Sequence, residues 1–221
     1  MTMPDGSYPM PTPRVRFDVI NQAWAMLQQQ MGTWVLVMVT YIVIAGICSY
    51  VLGKIPVLGF VVSGIPTAIL IAGVYKVALR HIRGEIPAVA DMFTIGDVIG
   101  PIIVASILTT IGEAIGFVLC VIPGLVLTAL WAFVPLLIVD RGLDGVAAMR
   151  ESLNVLKGEW LMITIFMIVV ALVGVAGVIA CGVGVLITAP IAFLSIALLY
   201  RDFFPETGAG APGDPYSAPP L

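Results

Sequence analysis

Two stretches of roughly 40 residues constrain this chain more than anything else in it. Leu161–Tyr200 carries no charged side chain, and Val98–Val139 carries only Glu113. A helix needs about 20 apolar residues to cross a bilayer. Each run is therefore twice the length of one span and is expected to fold back on itself as a helical hairpin. A transmembrane barrel would require alternating polarity, which neither run has. Composition points the same way. Of 221 residues, 60% are apolar and 10% are charged, with a mean hydropathy of +1.11. A soluble domain carries about 25% charged residues, so this chain has too little charge to cover a water-facing surface.

Cutting at the apolar stretches predicts six segments: 31–53, 56–78, 98–120, 122–139, 160–181 and 183–200. The ten basic residues then fall unevenly. Arg14, Arg16, Lys76, Arg80, Arg83, Arg141, Arg150, Lys157 and Arg201 lie on one side of a six-span arrangement, and only Lys54 lies on the other. Positively charged loops stay in the cytoplasm. The expectation is a multi-pass protein of the bacterial cytoplasmic (inner) membrane with both termini inside.

The chain reads as three parts: a Pro-rich disordered tail at 1–13, a six-helix transmembrane domain at 14–203, and a Pro/Gly-rich disordered tail at 204–221. Neither tail has enough apolar surface to order itself. Residues 1–13 lack the basic and apolar regions of a secretory leader, so the first transmembrane helix is expected to direct insertion.

An internal repeat relates residues 17–34 to 143–160. Without gaps, Asp18 matches Asp144, Leu27 matches Leu153, Gly32 matches Gly158 and Trp34 matches Trp160. Each stretch is amphipathic at helical spacing. Phe17, Ile20, Trp24, Leu27 and Met31 make one stripe, and Val146, Met149, Leu153 and Leu156 make the other. A shorter version is expected from Pro87 to Phe93. The predicted fold class is thus an all-α membrane protein of three hairpins, each preceded by a cytoplasmic-side amphipathic helix. Such helices lie in the interface plane or dock on the bundle. Trp34 and Trp160 are candidate interfacial residues, because indole favours the headgroup level. Pro123-Gly124 and Gly182-Val183-Gly184 are the expected outer turns.

Glu113 is the sharpest candidate for an intramembrane polar site. It is the one acidic residue well inside a span, and a carboxyl there is costly to insert. It serves either ion or substrate coupling, or a structural hydrogen bond to Thr or Ser. Gly112 and Gly116 beside it predict close helix packing on that face. Lys76 and Arg80 are candidate interfacial cations whose long side chains snorkel to the headgroups. His81 is expected at the same surface. Cys48, Cys120 and Cys181 read as packing residues. Pro66, Pro101, Pro135 and Pro190 fall inside spans and kink helices or line a cavity. No motif for metal ligation, phosphate binding or nucleophilic catalysis is present, so no catalytic residue, metal or cofactor is assigned. The partners in keeping with this chain are the lipid bilayer, a membrane or cytoplasmic protein, and a second copy of itself; nothing indicates nucleic acid.

An ordered set of short motifs carries a family resemblance. These are Ala78-Leu-Arg-His-Ile-Arg-Gly-Glu85 with Asp91-Met-Phe93, then Ile122-Pro-Gly-Leu125 with Trp131-Ala-Phe133. Ala148-Met-Arg-Glu-Ser152 leading to Lys157-Gly158, and Thr188-Ala-Pro190 with Tyr200-Arg-Asp202, complete it. Together they resemble uncharacterised bacterial six-helix membrane proteins related to the membrane domain of glycerophosphoryl diester phosphodiesterases. The resemblance spans nearly all of 14–203 and implies fold and inner-membrane location. The phosphodiesterase catalytic domain of some relatives has no counterpart in this sequence, so that activity is not carried over. Two functions are therefore expected from different classes: a non-enzymatic scaffold or membrane-assembly partner, or a transporter or lipid-handling protein built around Glu113.

Overall fold

The computed structural model describes residues 14–52, 58–179 and 184–205, with side chains omitted for 58–63. Residues 1–13 and 206–221, Lys54, Cys181 and most of the expected Gly182-Val183-Gly184 turn lie outside the described residues, whereas Phe204, expected in the disordered tail, is buried against Phe133. The described residues are mostly helical, joined by short turns and loops, with no strand. The helices are α1 (Val19–Gln29), α2 (Met31–Leu52), α3 (Leu58–Ile82), α4 (Ile99–Leu119), α5 (Val121–Leu130), α6 (Val134–Arg141), α7 (Gly145–Leu156), α8 (Trp160–Ile179) and α9 (Val185–Phe203). Six helical segments are long and apolar enough to cross a membrane: α2, α3, α4, α5 with α6, α8 and α9. The chain has the architecture of a multi-pass membrane protein.

Burial follows from position in the bundle. The second half of α3, the first part of α6 and the second half of α9 form the centre, including Val74, Val77, Leu136, Leu137, Leu194 and Leu199. Around them, α2, α4 and α8 turn large apolar side chains outward. Tyr50 is 70% exposed, Val118 88% and Ile179 79%. That much exposed apolar surface suits a hydrocarbon surround, since soluble monomers rarely show patches beyond about 600 Å². Consecutive segments pack on each other: α2 on α3, α4 on α5, and α8 on α9.

The shorter helices α1 and α7 dock on the bundle through their smaller residues. From α1, Val19, Ala23 and Leu27 are buried against α9, while Phe17, Trp24 and Met31 stay exposed. From α7, Gly145, Ala148, Ser152 and Leu156 are buried, and Val146 is exposed. A Cβ on Gly145 would stand 2.8 Å from Pro101 O and Ala105 N. The docking face is set by how closely backbones approach rather than by the largest apolar side chains, so the predicted stripes are only partly the buried ones. Residues 87–93 are not an α-helix. They form a 3-10 turn, Val89–Phe93, whose Asp91 carboxylate accepts from Ala88 N at 3.0 Å.

The turn between α4 and α5 also differs from expectation. A single extended residue, Cys120, makes the break, and Pro123-Gly124 lies inside the first turn of α5. Proline is tolerated there because first-turn N–H groups have no partner within the helix.

Candidate functional site

Pro135 organises the site. It has no N–H to donate to Trp131 O, so the span containing it breaks: α5 ends at Leu130 and α6 begins at Val134. Val134 N donates instead to Trp131 O at 3.1 Å. That leaves Leu130 O without its usual partner four residues on. Ser152 of α7, fully buried, donates its hydroxyl to Leu130 O at 2.7 Å. A freed carbonyl at membrane depth is thus satisfied by a neighbouring helix.

Beside this break lies a cavity of about 290 Å³. Its walls come from α3, α4, α5, α6 and α8. Most are apolar, including Ile71, Ile102, Ile138 and Met167. The polar groups on it are Glu113, Ser106 and Thr109 from α4, Thr128 from α5 and Tyr75 from α3. Glu113 stands 14 residues into α4, about 21 Å from its start at 1.5 Å per residue, in the half away from the Lys76–Asp91 end of the bundle.

The hydroxyls are partly occupied by their own helices. Thr109 donates to Ala105 O at 2.9 Å, Ser106 to Ile103 O at 2.9 Å, and Thr128 to Gly124 O at 3.0 Å. Thr128 and the Glu113 carboxyl line the same cavity. Glu113 forms no ion pair among the described residues, and the Tyr75 hydroxyl makes no hydrogen bond with them. Tyr75 is held edge-on to Phe193, with ring centroids 5.1 Å apart.

Gly112 and Gly116 provide the close packing that their spacing predicts. The indole of Trp131 occupies the space a Cβ on Gly112 would need, and a Cβ on Gly116 would stand 3.0 Å from Gly124 Cα. Trp131 thereby closes the cavity on one side.

The other candidates lie at the opposite end of the bundle. Lys76 Nζ donates to Thr94 O and does not approach Glu113. Arg80 pairs with Glu85 at 2.6 Å and with Asp91. Arg83 pairs with Asp140, which also accepts from the Tyr200 hydroxyl at 2.9 Å. His81 is buried rather than at the surface, and its Nδ1 accepts from Trp34 Nε1 at 2.9 Å. Trp34 is fully buried by this contact, whereas Trp160 is 48% exposed. No group of His, Cys, Asp and Glu with metal-binding geometry occurs among the described residues.

Sequence reasoning singled out Glu113 and Pro135; Trp131 and Ser152 entered only within the motifs of the family resemblance, and Tyr75 and Thr128 did not enter. The signal for Trp131 was available in Gly112, whose missing side chain makes room for a large ring. Comparison with family profiles, with curated proteins and with solved structures finds no significant match to this chain.

Proposed function

We propose that this chain is a lipid-handling protein of a bacterial inner membrane. In this reading it binds a small, mostly apolar molecule with one hydrogen-bonding head in the Glu113 cavity. One observation carries the proposal: an acid without a basic partner among the described residues stands on the wall of a mostly apolar cavity. Ligand sites are pockets of roughly 300–1,000 Å³ with few, well-placed polar groups. This one is at the small end, which suits a single short chain or ring. An ionisable residue at membrane depth is a functional hypothesis by default. The interrupted helix beside it is supporting evidence, because transporters build midplane sites at such breaks.

The same reading takes the six spans as three in–out–in hairpins with both termini in the cytoplasm, and α1 and α7 as helices of the cytoplasmic interface. It takes 17–34 and 143–160 as an internal repeat, and relates the fold to the membrane domain of glycerophosphoryl diester phosphodiesterases. It assigns no catalytic step and no cofactor.

The test is native mass spectrometry of the full chain in nanodiscs, wild type beside Glu113→Gln. A molecule retained one-to-one by wild type and lost by the variant is the expected result. Identical spectra without a retained molecule would return Glu113 to packing and leave a scaffold as the better reading.

A further inference from the structure

A second concavity lies on the outside of the bundle, between α7 and the α4–α5 pair. It is an open groove of about 520 Å³ with Leu108, Val146, Met149 and Leu153 on its walls and Arg150 and Asn154 at its rim. Trp131 lines both this groove and the Glu113 cavity, so one indole is the partition between them. Leu108 and Val146 are each 39% exposed, so the groove opens outward.

The rim has a charge that the protein does not compensate. Arg16, Arg80 and Arg83 are all ion-paired. Arg150 is exposed and has no ion pair or hydrogen bond among the described residues. About two turns further along, Lys157 Nζ donates to Asn154 Oδ1 at 3.3 Å and likewise has no ion pair among the described residues. One unpaired cation, Arg150, thus stands midway along the α7 wall of an apolar trough, with Lys157 beyond its Asn154 end. We infer that this groove binds an anionic phospholipid, with its phosphate at Arg150 and one acyl chain along Leu108, Val146 and Leu153. Each cation held near an anionic headgroup contributes on the order of 1 kcal/mol, a factor of about five in binding. The inference goes beyond the Glu113 reading and stands on different side chains, Trp131 apart.

The test uses the full chain in detergent, titrated with phosphatidylglycerol or phosphatidylcholine and read by native mass spectrometry. Wild type is expected to retain one phosphatidylglycerol in preference to phosphatidylcholine. Arg150→Gln should lower that preference about fivefold, and Arg150→Lys, which keeps the charge, should preserve it. Val146→Trp, which fills the trough, should lose both lipids with circular dichroism unchanged. Glu113→Gln should keep the preference whatever becomes of the cavity ligand, so the two readings fail separately. Equal retention of both lipids by wild type, undiminished preference in Arg150→Gln, or displacement of the lipid by inorganic phosphate alone would overturn the assignment.

Discussion

The two polar regions of this protein are built on opposite rules. At the end that holds Asp140, several charges are matched. Arg80 bridges Glu85 and Asp91, Arg83 meets Asp140, and Arg16 meets Asp202 at 2.7 Å. These pairs tie α3, α6 and α9 to one another and to the chain's beginning. In the other half of the bundle, Glu113 lines a cavity beside Thr128 and has no cation among the described residues. Matched charges hold helices together. In the proposed reading, the cost of inserting the unmatched acid is offset by the ligand it binds.

That contrast is breakable, most forcefully from the matched side. Asp140→Ala removes the acceptor that Arg83 and the buried Tyr200 hydroxyl share. We expect a loss of about 2–3 kcal/mol, most of it at Tyr200, read as a lowered thermal midpoint in detergent. Gly112→Ala attacks the cavity side through packing. The new Cβ overlaps the Trp131 ring, which has to move, at a cost of about 2 kcal/mol and with a shift in tryptophan emission. Ser152→Ala leaves Leu130 O unsatisfied at the helix break and should cost roughly 1–2 kcal/mol, with faster amide exchange around Trp131–Val134. Trp34→Phe keeps the buried ring but removes the donor to His81, for about 1 kcal/mol, read by the same thermal scan.

Much of this contrast is legible in the sequence. The uncharged runs define the six segments to within a few residues, and Glu113 stands out because hydrocarbon admits so few acids. The cavity itself is not legible, because it depends on which helices meet. Pro135 predicts a disturbance, but only the docking of α7 places Ser152 under the freed carbonyl.

The matched pair Trp34 and Trp160 makes the same point. Their sequence contexts align, yet one is buried against His81 and the other is half-exposed. Local pattern sets what a residue suits, and its neighbours in space decide where it goes. The docking faces of α1 and α7 follow that logic. Periodicity selects the large apolar stripe, while close approach selects Ala23, Gly145 and Ala148.

The most direct measurement compares Glu113→Gln with Asp140→Asn by thermal unfolding of purified, delipidated protein. The account predicts that Asp140→Asn, which loses the charge but keeps one carbonyl acceptor, lowers the midpoint by about 3–6 °C and that Glu113→Gln moves it by less than about 2 °C. A fall for Glu113→Gln as deep as that for Asp140→Asn would make Glu113 a strut of the fold and contradict its assignment to a ligand.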